Sequence, residues 1–341
     1  MFVGSIIGLD TGCKELSKQL SDGEKMAILI TGGNGYIGRW LAHELLNHQI
    51  DVVTFDRVPP DPAAKPDLPA SARSVVGDIT DRDSFVDIAR DGNYSAIIHL
   101  AGIVTMGCEQ NPDLGMRVNL GGTHNVLEAA RLVGIPRVVF ASTISVYGPD
   151  VEQPMTEAAP ARPLTWYGQS KLMAEQLGLY YQRRFGLDFR ATRLAAIVGP
   201  ARNAASGSAT MYTSLIIERA ALGQPYEIDV DPEAGTPVCY AKDAARALAT
   251  LATATSAPQR IYHVSTGLAT ADGLIEIVKR RVPNAQFTFK PDPQLAPVSR
   301  ISREWQLSID AAKRELGWQP AYTIDSMVDD LMAIVRGQKP G

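Results

Sequence analysis

Three groups of residues in this 341-residue chain have types and spacings that could do chemistry. Tyr167-Gly168-Gln169-Ser170-Lys171 sets a phenol and an ammonium four residues apart, on one face if the segment is helical. A free phenol has a pKa of about 10, and neighbouring positive charge favours the phenolate, a usable base near neutral pH. Ser142-Thr143 follows an apolar run and offers a hydroxyl partner, with Thr143 fixing the distance of a reacting oxygen from Tyr167. Alone, a Tyr/Lys pair at this spacing is common on exposed helices. The third group changes its weight. Thr31-Gly32-Gly33-Asn34-Gly35-Tyr36-Ile37-Gly38 reads G-x-x-G-x-x-G from Gly32 and also G-x-G-x-x-G from Gly33. Missing side chains permit a tight turn and let a pyrophosphate approach the backbone at a helix N-terminus, with Gly32, Asn34, Gly35, Tyr36, Ile37 and Gly38 as its candidate contacts.

These groups need elements to position them. Ala27–Ile30 is a short apolar run with no polar face, as in a strand buried on both sides of a parallel sheet. A helical pattern follows over Tyr36–Asn47. Further strands are expected at Asp51–Phe55, Ser74–Val76, Ala96–Leu100, Arg137–Ala141, Asp188–Arg193 and Arg260–Val264, with helices at Leu120–Leu132 and Tyr167–Phe185. Repeated strand–helix alternation predicts an α/β fold with a doubly wound parallel sheet of the Rossmann type. After Pro200 the regularity loosens. Residues 26–200, with 238–283 returning, are read as the dinucleotide-binding domain, and 201–237 with 284–341 as a smaller, interleaved substrate lobe.

Strand then glycine loop then helix is the context a dinucleotide needs. Asp56 lies eighteen residues after Gly38, where a carboxylate binds both ribose hydroxyls and repels a 2′-phosphate; the cofactor expected is therefore NAD. Arg57 beside it leaves NADP as an alternative. Asp78, with Ile79, is placed to reach the adenine edge. Lys171 would hydrogen-bond the nicotinamide ribose, and the oxidised nicotinamide supplies the positive charge beside Tyr167.

Composition excludes several classes. The chain is 45% hydrophobic, and 33 basic against 37 acidic residues leave a net charge of −4. It carries no basic block to bind nucleic acid and no apolar run of the ~18 residues a membrane helix needs. Three scattered cysteines, Cys13, Cys108 and Cys239, argue against a disulfide framework and for a reducing, cytoplasmic setting, and five histidines show no metal-ligand spacing. Met1–Lys25 reads as an N-terminal extension, without the basic region of a signal peptide.

The motifs together carry a resemblance. Gly32/Gly35/Gly38, His99-Leu100-Ala101-Gly102, Asn119-Leu120-Gly121-Gly122-Thr123, Ser142-Thr143 with Val146-Tyr147-Gly148, and Tyr167/Lys171 resemble the extended short-chain dehydrogenase/reductases, also called NAD-dependent epimerase/dehydratases. The resemblance implies Thr143, Tyr167 and Lys171 as catalytic residues, Leu100, Ala101 and Asn119 as further cofactor contacts, and a homodimer joined through the helices after Asn111 and Tyr167. Dehydratases of the family follow the catalytic Thr with an acidic pair; here Ile144 and Ser145 follow. Nucleotide-sugar epimerases hold the substrate diphosphate with an Asn and an Arg at positions matching Ala196 and Thr236, so a small substrate without a nucleotide is implied.

Phe185–Arg190, Pro237–Tyr240, Trp305, Leu316-Gly317-Trp318 and Ile324–Asp330 are similar to short-chain L-threonine dehydrogenases. That likeness puts Thr105, Thr143, Ser145, Tyr167, Thr210 and Trp305 around the substrate. It departs at Met211, where that branch carries an acid, and over Asn203–Ser208, which leaves a 3-hydroxy acid, a sugar acid or a polyol as candidates. The reading is thus an NAD-dependent oxidoreductase of a small hydroxyl-bearing substrate. An NAD-dependent epimerase is the alternative, and a non-catalytic NAD(P)-sensing protein a third, which would not need the Tyr/Lys pair. His99 reads as a packed, hydrogen-bonded residue rather than a base. Trp305 reads equally as lobe core or as a lid, while Cys108, Cys239 and Trp318 read as packing.

Overall fold

The computed structural model describes residues 26–200, 210–293 and 302–338. The N-terminal extension and the 203–208 stretch lie outside them. Seven strands form one parallel sheet: β1 (Ala27–Thr31), β2 (Val52–Asp56), β3 (Arg73–Val76), β4 (Tyr94–His99), β5 (Arg137–Thr143), β6 (Asp188–Leu194) and, much later, β10 (Ile261–Val264). Their order is β3-β2-β1-β4-β5-β6-β10. Strand order reverses at β1, so the crevice outside the carboxyl ends of β1 and β4 is where a doubly wound sheet takes a ligand. The pairing Thr31↔Phe55 and Thr31↔His99 brings the three strand ends level there.

Both faces of the sheet are covered, which is why its strands read as unbroken apolar runs. On one face Ile28 and Ile30 meet Leu41, Ala42 and Leu45 of the Tyr36–Asn47 helix and Ala244, Leu248 and Leu251 of the Ala241–Thr253 helix. On the other, Leu29, Ile97 and Phe140 meet Phe85 and Ala89 of the Arg82–Asp91 helix, Val126, Leu127 and Ala130 of the Gly122–Val133 helix, and Ala174 and Tyr181 of the Trp166–Phe185 helix. The last of these ends at Gly186, whose φ of 73° is the left-handed cap a glycine accepts readily.

A six-residue π turn, Met116–Gly121, leads into the Gly122–Val133 helix where regular α-helix was expected from Leu120. The wider turn carries Asn119, 1% exposed, into the interior.

The remaining strands build separate, smaller sheets: β7 (Ala196–Val198), β9 (Gly235–Tyr240) and β11 (Gly267–Thr270) in one, β8 (Tyr226–Ile228) and β12 (Phe287–Phe289) in another. Helices Tyr212–Ala221, Ala271–Arg281 and Ile324–Val335 close a third core over them, around Ile216, Val238, Leu274 and Val328. The returning stretch 238–283 is therefore divided. The Ala241–Thr253 helix and β10 join the large sheet, whereas β9, β11 and the Ala271–Arg281 helix belong with the lobe. Residues 302–318 divide from 319–338 likewise: Trp305, Ala312 and Trp318 pack into the first core beside Tyr147 and Met155.

Candidate active site

The glycine loop is held open by contacts that admit no side chain. Gly32 sits at φ +68°, and a Cβ there would lie 2.7 Å from the Ala101 backbone nitrogen. A Cβ on Gly33 would fall 2.5 Å from the Thr54 Cβ. Gly35 precedes the first helix without a side-chain cap bond, the kind of helix N-terminus that suits an anion.

Asn34 is bonded to the strands behind the loop. Its side chain is spent on protein: Oδ1 accepts from Thr54 Oγ1 (2.8 Å), and Nδ2 donates to the Val58 carbonyl (2.8 Å) and to Ser74 Oγ (3.0 Å). It ties the loop to the second and third strands. Its backbone N–H donates to Asp56 Oδ2 at 3.1 Å, and Val58 N–H donates to Oδ1 at 3.2 Å. Two donors thus orient the half-buried Asp56 carboxylate, and a carboxylate retains acceptor capacity beyond two bonds. Asp78 accepts from the backbone N–H and the hydroxyl of Thr80, both at 2.8 Å, which hold its carboxyl below the ordinary value. Ile79 is buried, with its carbonyl accepting from Asn125 Nδ2.

Leu100 and Ala101 continue from β4 under the loop, where Leu100 N–H donates to the Thr31 carbonyl. Asn119 clamps Ile103 from both sides: Oδ1 accepts from Ile103 N–H (2.7 Å), and Nδ2 donates to Ile103 O (2.9 Å) and Ser170 Oγ (3.0 Å). Its amide positions the 102–105 loop. Thr105 opens the short helix that follows.

His99 is fully buried between two hydroxyls, Nδ1 2.6 Å from Thr31 Oγ1 and Nε2 3.0 Å from Thr123 Oγ1. Thr123 donates to the Asn119 carbonyl, so it accepts from Nε2–H, and Nδ1 accepts from Thr31. Burial, then the Lys171 charge, pushes this imidazole down to about 3. A neutral, doubly bonded His99 is a structural link, as its sequence context implied.

The Trp166–Phe185 helix begins at its Thr165 cap, whose Oγ1 accepts from Gly168 N–H at 3.0 Å. Tyr167 is half-buried and Lys171 buried on the same face. Lys171 Nζ donates to the Ala141 carbonyl at 2.8 Å, over the Phe140 ring and 6.0 Å from the centre of the Tyr167 ring. Burial pushes its ammonium down to about 8. Thr143 ends β5; its Oγ1 accepts from Ser145 N–H (3.1 Å) and donates to Ser145 Oγ (3.2 Å). Ser142 points the other way and donates to Glu175 inside the protein.

Of the lobe residues, Trp305 is 5% exposed and meets Tyr147 edge-on, ring centres 6.4 Å apart, so it is core at the seam between the two halves. Thr210 is half-buried, next to a buried Met211. Ala196 and Thr236 both lie in the three-stranded sheet. The pattern reading missed a buried set behind the site, Glu175, Arg193, Tyr147 and His263. Glu175 follows Lys171 by another four residues, the one signal that could have found it.

The glycine cradle and the paired donors on Asp56 fit a dinucleotide. The NAD dependent epimerase/dehydratase family model matches residues 28–265, and the chain belongs to that family of NAD-dependent dehydrogenases and epimerases. A mitochondrial L-threonine 3-dehydrogenase of Bos taurus is 30% identical over 324 residues, 93% of this chain and 84% of that one. The L-threonine dehydrogenase structure from Phytophthora infestans matches with a TM-score of 0.79 and 30% identity, over 91% of this chain and 99% of that one. A UDP-glucose 4-epimerase from Thermotoga maritima, at 23% identity and a TM-score of 0.81 over 92% and 99% of the two chains, shares the fold.

Proposed function

We propose that this protein is a dehydrogenase that oxidises a small, nucleotide-free hydroxy substrate of the L-threonine type. The observation that carries it is Lys171 Nζ, held on the Ala141 carbonyl of β5 and 6.0 Å from the Tyr167 ring centre, with Thr143 ending that strand. The chemistry that NAD would supply when bound is that of a hydride acceptor. Tyr167 takes the hydroxyl proton, with its oxygen as the base. Thr143, held by Ser145, orients the reacting oxygen, and Lys171, fixed on the Ala141 carbonyl, favours the phenolate and reaches toward the ribose. Gly32, Gly35 and Gly38 with the first-turn amides hold the pyrophosphate, and Asp56 holds the adenosine ribose. Thr105, Ser145 and Thr210 are proposed to border the substrate, with Trp305 packed behind them at the seam. Ala196 and Thr236 lack the amide and guanidinium a diphosphate needs, which favours this reading over nucleotide-sugar epimerisation.

A homodimer is part of the proposal. An open groove lined by Met116, Leu120, His124, Leu172, Met173 and Leu177 runs along the two helices the resemblance assigns to the interface. Two free, buried cysteines among the described residues support a reducing, cytoplasmic setting.

The test is a screen of 3-hydroxy amino acids, small hydroxy acids, polyols and UDP-sugars, following NADH absorbance, with Tyr167→Phe as the control variant. The reading expects net NADH from a small hydroxy substrate. Tyr167→Phe should bind NAD normally and lose turnover by about 10²-fold or more. Retained turnover in that variant would remove Tyr167 from the chemistry, and sugar interconversion without net NADH would make the enzyme an epimerase.

A further inference from the structure

A continuous line of buried hydrogen bonds runs from the catalytic helix to the segment that carries Trp305. It starts at Glu175, one turn beyond Lys171, whose carboxylate is paired with Arg193 at 2.7 Å. Arg193 Nη1 lies 2.6 Å from the Tyr147 oxygen, that oxygen 2.6 Å from His263 Nε2, and His263 Nδ1 3.1 Å from the Ser308 carbonyl. The direction of each bond is fixed by what its ends can do. A guanidinium only donates and a carbonyl only accepts. His263 Nδ1 therefore carries the hydrogen, Nε2 accepts, and the Tyr147 hydroxyl accepts from Arg193 while donating to His263. Burial keeps this imidazole neutral, pushing it down to about 3.

The far end of the line is a strap. Ser308 N–H donates to Met155 O at 2.8 Å, Met155 N–H to Gln306 O at 2.7 Å, and Gln306 N–H to Gln153 Oε1 at 2.7 Å. Trp305 sits at its start, edge-on to Tyr147. The same Tyr147 side chain thus touches Trp305 through its ring and the catalytic half through its oxygen.

We propose that Tyr147 and His263 are positioning residues that set the Trp305–Ser308 strap against the strand carrying Thr143, and so govern substrate binding rather than the chemical step. This rests on the function proposed above. Neither residue is assigned contact with substrate or cofactor.

The experiment uses the NAD-bound full chain. Tyr147→Phe keeps the ring against Trp305 and deletes the hydroxyl. Hydrogen exchange over 302–310 should quicken by at least about tenfold while β1 and β4 are unchanged. The KM of the hydroxy substrate should rise about tenfold, with kcat and NAD affinity within about threefold. His263→Ala should act like Tyr147→Phe, whereas His263→Asn, which retains a donor for the Ser308 carbonyl, should recover most of the protection. Unchanged exchange at 302–310 in Tyr147→Phe and His263→Ala overturns the proposal, as does equal acceleration across β1, β4 and the strap. Should Tyr147→Phe not fold, the His263 pair decides alone. The exchange result needs no substrate, so a failed substrate screen would count against the proposed function and leave this arm readable.

Discussion

Replacing Glu175 by Gln tests how the site is supported from behind. The Glu175 side chain is fully buried and that of Arg193 is 6% exposed. The carboxylate accepts Arg193 Nε at 3.1 Å, Nη2 at 2.7 Å and the Ser142 hydroxyl. Burial alone would lower the Arg193 pKa and the pairing with Glu175 raises it; with that partner neutralised the guanidinium still stays charged, because arginine is effectively always protonated. Breaking such a pair from one side costs about 3–5 kcal/mol, because a charge is left in the interior uncompensated. An unfolding entropy of about 2.1 cal/mol/K per residue gives roughly 0.7 kcal/mol per degree for this chain, so Tm should fall by about 4–7 °C. The assay is thermal and urea unfolding of the wild type, Glu175→Gln, Arg193→Met and the double variant Glu175→Leu/Arg193→Met. The double variant should regain at least half of the loss, since apolar replacement of both partners removes the desolvation cost together with the attraction. A single-variant loss under about 1 kcal/mol, or a double-variant loss equal to the sum of the two singles, would refute the reasoning.

Acid should destabilise the protein early. His99 and His263 are held near 3 against an ordinary 6.5, so between those values the unfolded chain binds protons the folded one refuses, and stability falls with pH by about 1.4 kcal/mol per unit per histidine; urea midpoints that stay flat from pH 6.5 to 5 would contradict this. Asp56 should favour NAD over NADP by at least about tenfold in Kd, and Asp56→Ser should erase most of that preference; isothermal titration with both cofactors reads it, and equal wild-type affinities would remove Asp56 from cofactor choice.

Much of this was legible because it is local. Strands buried on both faces read as unbroken apolar runs, and the glycine loop and the Tyr167/Lys171 pair are set by spacings of three and four residues. Long-range partners were not legible. The Asn34 side chain bonds to Thr54, Val58 and Ser74, and nothing near residue 34 announces them. Tyr147 and His263 are 116 positions apart and meet only because β10 returns to the sheet. The π turn at Met116–Gly121 was hidden because no local spacing marks it; the buried bonding of Asn119 to Ile103 and Ser170 holds it. The division within 238–283 was hidden for a related reason: only the pairing of β9 with β7 and β11 assigns those strands to the smaller sheet.

The late return of β10 has a consequence for how such an enzyme can change. The chain leaves the large sheet after β6, builds part of the lobe, and then lays its last strand back against β6 before finishing the lobe. The lobe is therefore no appendix that could be cut away, exchanged for another, or expected to fold by itself. Folding must close a loop of more than sixty residues before the sheet is complete, a costly and slow contact to make. A new substrate preference has to arise by substitution in place, within a chain whose two halves are sewn through one another.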